Sequence, residues 1–205
     1  MALDFYVVGV ILMCMNTMKK NFLAVFVAST ILGGATFAQS LDELSDAKRE
    51  EAALLSELAN PDQIGWKIIE EKLRKLWGRS GSATADLMLK RGEDAMEAED
   101  YVAAIDYFGA VTDHAPDFAE GWHSRATAFY AAGQLGPALH DVEMALTLNP
   151  NHFGALAGLG VILGDMNELD LAVEAYKRAL KIHPHQEELQ QGVNALNNIL
   201  GRATL

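Results

Sequence analysis

Three prolines recur in the second half of the chain at a constant interval of 34 residues: Pro116, Pro150 and Pro184. A proline cannot continue an α-helix, because it lacks the backbone N–H and its ring clashes with the preceding turn. Self-similarity at a fixed period of about 20–50 residues is typical of repeat architectures, in which each unit buries its apolar face against its neighbours. The interval therefore predicts a stack of similar helical units, each ending near a proline.

The three units cover residues 85–118, 119–152 and 153–186 and align without gaps. Each contains two segments with apolar residues at three- and four-residue spacing, which predicts two helices per unit. Small residues at shared positions let the two helices approach closely, and large residues fill the space to the next helix. The shared positions are Met88, Gly92, Ala95, Ala104, Phe108, Val111 and Pro116 in the first unit, Trp122, Ala126, Phe129, Ala138, Val142, Ala145 and Pro150 in the second, and Leu156, Gly160, Leu163, Ala172, Tyr176, Ala179 and Pro184 in the third.

This pattern resembles the tetratricopeptide repeat family over about half of the chain. The resemblance implies an all-α fold, an α-solenoid of three tetratricopeptide helix-turn-helix repeats. The second unit departs from the family pattern, because it carries Arg125 and Ala126 where the family usually has leucine and glycine. The first departs at Ala95, where an aromatic residue is usual.

A capping helix is predicted after the last repeat, over residues 187–201. Leu189, Val193 and Leu196 lie at helical spacing, and glutamines and asparagines occupy the positions between them. The end of a solenoid exposes an apolar face, so a terminal helix with a polar outer side is needed there.

A helical hairpin is predicted before the repeats, over residues 39–83. Its second helix begins near Pro61 and stops at Gly78, and residues 61–79 carry a local net charge of +2. We expect the hairpin to cap the N-terminal end of the solenoid, because an uncapped first repeat would expose apolar surface. A mobile arm and a self-association element are the alternatives.

An export signal is predicted at the N-terminus. Lys19 and Lys20 precede an apolar run over residues 22–32, and Ala38 ends a short segment of the kind that a signal peptidase cleaves. The run is short for the alternative, an uncleaved membrane anchor. We expect translation to start at Met18, cleavage after Ala38, and a periplasmic protein with no stable membrane insertion. The predicted organisation is a signal peptide over 1–38, a hairpin and linker over 39–83, and a repeat domain over 84–201.

Charge and cysteine content exclude several classes of protein. The formal net charge of −12 disfavours binding to nucleic acid or to an anionic membrane surface. The chain has one cysteine, Cys14, which lies in the predicted signal peptide. A thiol enzyme, a disulfide framework and a cysteine-based metal site are therefore not expected in the exported chain.

No catalytic motif stands out in the sequence. It contains no glycine-rich phosphate loop, no nucleophile elbow and no HExxH segment. His183 and His185 flank Pro184 and resemble a metal-binding pair, but they fall on a turn between repeats, where polar residues are ordinary. We expect a protein without catalysis, cofactor or metal.

The family resemblance also implies a binding site, because the first helices of such repeats line a concave groove that receives a peptide or a partner helix. The partner-binding residues that it implies are Leu89, Glu93, Met96, Glu97, Glu120, His123, Thr127, Tyr130, Ala157 and Val161. In this reading His123 and Tyr130 sit at the centre, with polar tips that could read a peptide backbone.

None of the implied groove positions carries Lys, Arg or Asn, so we expect no binding to acidic C-terminal tails. The carboxylates favour a neutral or basic protein segment with an apolar anchor. A merely solvated surface is the alternative for the groove itself. For the whole chain, the alternatives to a scaffold or adaptor are a self-assembling structural module and an accessory subunit of a cell-envelope enzyme complex.

Overall fold

The computed structural model describes residues 46–202, and within that range every regular element is a helix. The chain divides into two units, Met1–Glu50 and Glu51–Leu205. In the first unit, the described residues 46–50 are helical. The predicted signal peptide and its cleavage site lie outside the described residues. None of the helices in the described part is both long and apolar enough to cross a membrane.

The second unit contains nine helices within its described residues. They are α1 (51–58), α2 (Trp66–Trp77), α3 (Ala83–Glu97), α4 (Tyr101–His114), α5 (Ala119–Ala131), α6 (Leu135–Leu148), α7 (Phe153–Asp165), α8 (Leu169–Ile182) and α9 (Glu187–Ile199). The pairs α3–α4, α5–α6 and α7–α8 are the three repeats that the sequence predicts. The second helix of each pair ends two residues before a proline of the 34-residue series.

Small residues allow close packing within each pair, as predicted. A Cβ atom added to Gly92 would lie 2.3 Å from the Phe108 ring, and one added to Gly160 would lie 2.4 Å from the Tyr176 ring. Distances below 3.0 Å are essentially never seen for real Cβ atoms. The two glycines are therefore required by the rings that pack against them.

The turns inside the repeats share a left-handed residue. Glu99, Gly133 and Asn167 have φ angles of 58°, 73° and 64° and lie 34 residues apart. Glycine adopts this conformation freely and asparagine tolerates it, whereas glutamate pays about 1–2 kcal/mol of steric cost. Glycine and asparagine are residue types that favour such turns, so Gly133 and Asn167 mark theirs in the sequence, whereas Glu99 does not.

The departure from the family pattern at Arg125 is compensated by a buried ion pair. Arg125 donates to both carboxylate oxygens of Asp141, from Nε at 2.6 Å and from Nη2 at 2.9 Å. Its Nη1 donates to Thr112 Oγ1 at 2.8 Å, and the guanidinium lies 4.8 Å from the Trp122 ring centroid. Asp141 is 1% exposed, so the arginine ties α4, α5 and α6 together.

The C-terminal helix α9 covers the last repeat, as the sequence predicts. Val193 is 4% exposed, and Leu196 packs against a cluster formed by Leu163, Ala172 and Ala175. Its polar side chains face outward.

The N-terminal hairpin does not lie where we expect a cap on the first repeat. Its apolar residues Leu54, Leu58, Ile69 and Leu73 form one cluster with Phe153, the first residue of α7. The side chains of Trp66, Trp77 and Ile182 pack against this cluster. The physical reason is that rings at the ends of the second and third repeats receive the two tryptophans. Trp77 packs on His152 and Phe153, and Trp66 packs on His183 and His185.

The linker between the hairpin and α3 is ordered by hydrogen bonds. Ser80 donates to Asp86 Oδ1 from its backbone nitrogen at 3.0 Å and from its hydroxyl at 2.6 Å. Ser82 is the N-cap of α3, and its hydroxyl accepts from the Ala85 N–H at 3.4 Å. These bonds hold the linker against the first turn of α3.

Candidate partner-binding groove

The first helices of the three repeats, α3, α5 and α7, form one surface with two pockets. A polar pocket of about 270 Å³ lies between α3, the first turns of α5 and α7, and the end of α2, and a smaller apolar pocket of about 130 Å³ lies between α5 and α7. The polar pocket is lined by Arg74, Trp77, Gly78, Leu89, Glu93, Glu120, His123, His152, Phe153 and Gly154. The apolar pocket is lined by His123, Ala126, Thr127, Tyr130, Gly158, Val161 and Ile162.

The structure brings seven of the ten predicted groove residues into these pockets. Leu89, Glu93, Glu120 and His123 line the polar pocket, and His123, Thr127, Tyr130 and Val161 line the apolar pocket. The other three do not line either. Met96 packs against the core of the first repeat, Glu97 is exposed on α3, and Ala157 is half-buried on α7.

One buried histidine both caps a helix and lines the polar pocket. His152 is 3% exposed and is the N-cap of α7, where its Nδ1 accepts from the Ala155 N–H at 3.0 Å. Because Nδ1 is an acceptor, the ring proton of the neutral imidazole sits on Nε2. Nε2 therefore donates to Glu120 Oε2, which lies 2.8 Å away.

The hydrogen bond from His152 sets the charge of Glu120. Burial alone would raise the pKa of this carboxyl group. The hydrogen bond from His152 and the positive charge of Arg74 act in the opposite direction, and the net pKa lies below its ordinary value. Glu120 is thus ionised in the wall of the polar pocket at neutral pH.

His123 behaves differently, although it lies beside the same carboxylate. Burial lowers the pKa of His123 to about 4, against the opposing effect of Glu120. Its Nδ1 is buried and has no hydrogen-bond partner within the described part of the chain. The ring is therefore neutral at physiological pH and contributes an aromatic surface shared by both pockets.

Glu120, His123 and His152 also form a possible metal-ligand set that the sequence analysis does not identify. Their donor atoms lie within 4.8 Å of one another. Metal binding through His152 Nε2 would require the ring proton to move to Nδ1, which would break the cap of α7. The observed geometry favours a hydrogen-bonded array over a metal centre.

The polar tip of Tyr130 is already engaged. Its hydroxyl donates to Asp165 Oδ2 at 2.7 Å, and this bond, with burial, raises the pKa of the phenol. The bond links α5 to α7 at the edge of the apolar pocket. The phenol oxygen can still accept a hydrogen bond from a peptide N–H. In binding a peptide backbone, Tyr130 can therefore serve as an acceptor and not as a donor.

Two groove residues, Arg74 and Trp77, come from α2 and are absent from the sequence analysis. The Trp77 ring lies 5.0 Å from the His152 ring at an interplanar angle of 21°. The Arg74 guanidinium lies 5.8 Å from the centroid of the Phe153 ring. The local net positive charge of residues 61–79 is the only sequence signal that points towards an acidic groove.

The stacked helix pairs have relatives of known family. A model described as Tetratricopeptide repeat matches residues 89–142 and 123–187. A TPR repeat-containing protein of Rhizobium etli is 35% identical over 159 residues, which cover 77% of this chain and 73% of that protein. The small glutamine-rich tetratricopeptide repeat-containing protein 2 of Mycosarcoma maydis is 33% identical over 113 residues, which cover 55% of this chain and 32% of that protein.

A solved structure shares the fold. The first TPR of Spaghetti (RPAP3), bound to the HSP90 peptide SRMEEVD, matches with a TM-score of 0.58 and 22% identity over 58% of this chain and 95% of that one. At this identity the likeness concerns the fold alone. Taken with the predicted repeats and the relative from Rhizobium etli, it shows that this chain belongs to the tetratricopeptide repeat family.

Proposed function

We propose that the chain is a non-catalytic scaffold or adaptor that binds a protein or peptide segment in its groove and acts in the periplasm after export. The observation that carries this proposal is the apolar pocket between α5 and α7, which lies directly beside a polar pocket with ionised carboxylates. An apolar side chain of the partner fills the first, and a basic side chain pairs with the second. The peptide-bound state of the first TPR of Spaghetti supports this use of the surface.

The charge of the groove selects against acidic partners. Glu93 and Glu120 line the polar pocket, and Glu97 is exposed one turn further along α3. An acidic peptide meets like charges here, which disfavours binding, whereas a neutral or basic segment does not. The partner class is therefore a neutral or basic segment with an apolar anchor.

Action in the periplasm is supported by the sequence pattern at residues 18–38, with two lysines, an apolar run and a cleavable end. N-terminal sequencing of the protein from a periplasmic fraction tests it. We expect Gln39 as the first residue, and finding Ala2 or Met18 there would overturn the export step.

Two fluorescent peptides test the groove. One is SRMEEVD, and the other is SRMKKVK with an amidated C-terminus, which keeps the methionine and valine but reverses the charge. We expect the basic peptide to bind at least tenfold more tightly by fluorescence anisotropy at an ionic strength of about 0.1 M, because charges attract one another over about 10 Å in that buffer. Equal or reversed preference would refute the acidic-groove assignment.

Matched variants locate the binding surface. Glu93→Lys/Glu97→Lys should weaken binding of the basic peptide at least tenfold. Glu174→Lys/Glu188→Lys makes the same charge change at exposed positions on α8 and α9, away from the groove, and should leave binding nearly unchanged. If both pairs weaken binding equally, only net charge matters and the groove is not the site.

Self-association is a second candidate, because Ile64 and Ile68, four residues apart, are 98% and 66% exposed. Exposed apolar side chains of this size in one patch favour a protein contact. Light scattering over a range of concentrations tests it. A mass that rises with concentration in the wild type, and not in Ile64→Ser/Ile68→Ser, would favour the assembly module.

A further inference from the structure

The last turn of α2 occupies part of the groove, and it does so with the chemistry expected of a partner. Trp77 lies against His152 at 5.0 Å and against the Phe153 ring at 5.2 Å between centroids. Arg74, one turn earlier on the same side, lines the polar pocket with Glu93 and Glu120. An aromatic anchor and a basic residue three positions apart thus lie on the first helices of the repeats.

Arg74 of α2 also interacts electrostatically with a carboxylate of the groove. The charge of Arg74 contributes to lowering the pKa of Glu120, so the guanidinium acts on the carboxylate across the pocket. Arg74 is also held by Glu70, whose Oε1 accepts from its Nη2 at 2.7 Å. This intrahelical bond orients Arg74 while leaving 60% of its side chain exposed.

Besides the buried apolar residues Ile69 and Leu73, α2 contacts the third repeat through rings and through a polar group that is not fully satisfied. Trp66 stacks on His185 at 5.3 Å and lies edge-on to His183 at the same distance. His183 is fully buried, yet among residues 46–202 neither ring nitrogen finds a well-aligned hydrogen bond, and Glu70 Oε2 lies 3.4 Å from its Nε2. A buried polar group without a partner weakens an interface. The apolar cluster around Phe153 holds α2 in place, and the unsatisfied imidazole of His183 weakens this contact.

We propose that the surface formed by His152, Phe153 and the carboxylates Glu93 and Glu120 is a helix-binding site, and that α2 is its resident occupant. The partner is a basic amphipathic helix with an arginine and, three residues later, an aromatic residue, and it binds by displacing α2. This inference rests on the proposed function. It names the partner's fold and side chains, where the proposed function names only its charge and anchor.

Binding of α2 in trans tests the proposal. The probe is a fluorescein-labelled peptide of residues 62–80, titrated into the full chain with anisotropy as the readout. In the wild type the tethered helix competes at a high effective concentration, so the peptide binds weakly. In the Arg74→Glu/Trp77→Ala variant the internal competitor is weakened, and we expect at least tenfold tighter binding.

Two controls isolate the groove side of the helix. Lys72→Glu/Lys75→Glu changes exposed residues of α2 and should leave peptide binding at the wild-type level. A peptide carrying the Arg74→Glu and Trp77→Ala changes should bind neither protein. Binding of the unmodified peptide that is equal in the wild type and the released variant would overturn the proposal.

Hydrogen exchange on the wild-type chain keeps the proposal testable if the released variant fails to fold. Excess peptide should speed exchange in α2 at least tenfold and slow it in α5 and α7. If α2 amides exchange only when α5 and α7 do, and the peptide changes nothing, then α2 belongs to the cooperative core and the proposal is wrong.

The outcomes also separate this inference from the function on which it rests. If the basic SRMKKVK amide binds the groove and the α2 peptide does not bind the released variant, the proposed function stands and the helix site falls. If neither binds, both fall. A wild-type dimer that Arg74→Glu/Trp77→Ala converts to a monomer would show that α2 serves a second copy, which also overturns the partner assignment.

Discussion

The buried pair of Arg125 and Asp141 offers the sharpest test of how this repeat stack is held together. Asp141→Ala removes both acceptors of the guanidinium and leaves it with a single side-chain hydrogen bond, to Thr112. Removing one partner of a buried ion pair costs about 3–5 kcal/mol, because an uncompensated charge stays buried. A domain of this size has about 5–15 kcal/mol of stability, so the loss is a large share of the total.

Urea unfolding followed by far-ultraviolet circular dichroism measures the effect, with the free energy of unfolding taken by linear extrapolation. Asp106→Ala, an exposed aspartate on α4, is the matched control and should change stability by less than about 0.5 kcal/mol. The Arg125→Leu/Asp141→Ala double variant leaves no buried charge, and leucine is the residue that the family usually has at position 125. It should recover at least about 2 kcal/mol of the loss.

Two results would refute this reasoning. A loss below about 1 kcal/mol in Asp141→Ala would mean that Arg125 turns to water when its partner is removed. A double variant as unstable as Asp141→Ala would mean that lost packing over Trp122, and not an unpaired charge, accounts for the effect.

Further predictions concern other parts of the fold. Gly160→Ala should destabilise the chain by about 1–3 kcal/mol, because the added Cβ would lie 2.4 Å from the Tyr176 ring. In the same urea assay, Gly158→Ala should stabilise the chain by about 0.5–1 kcal/mol, because nothing lies within 4 Å of its added Cβ. Glu99→Gly should raise the free energy of unfolding by about 0.5 kcal/mol, since relief of the strain at φ 58° outweighs the greater freedom of glycine in the unfolded chain. Burial lowers the pKa of His123 from 6.5 in the unfolded chain to about 4 in the folded chain. The free energy of unfolding is therefore highest above pH 6.5 and falls as the pH drops towards 4, with a loss of about 2 kcal/mol at pH 5. A series of stability measurements against pH on His123→Gln should lack this loss.

The repeat region could be predicted because its information is local and periodic. Pro116, Pro150 and Pro184 mark the helix ends, and the small residues face rings about 16 positions later in the same unit, as Gly92 faces Phe108. A reader of the sequence can align such positions without knowing any long-range contact. The groove residues on α5 follow from the same register.

The seat of the hairpin could not be predicted, because nothing periodic links its residues to their neighbours. Trp77 contacts His152, 75 positions later, and Asn60 meets His185, 125 positions later. Both histidines occur in turns between repeats, where the sequence predicts only ordinary polar residues. Contacts of this kind depend on where two surfaces meet once each is folded.

The role of His152 shows why the site was harder to predict than the fold. As the last residue of its repeat, it stands where any polar residue can end a turn, and only the structure shows that it caps α7 and donates to Glu120. The charge in the groove wall is therefore fixed by a helix cap, and not by the groove positions alone.

The position of Arg74 limits how much electrostatic attraction can contribute to the binding of a partner. Arg74 already supplies a positive group beside Glu120, so a displacing helix replaces this interaction and does not add to it. The net electrostatic gain of exchange is small for any basic partner with a single arginine at this place. Discrimination among such partners then rests on the aromatic side chain that takes the place of Trp77 between His152 and Phe153, and on the apolar anchor in the pocket beside Tyr130, which α2 leaves open.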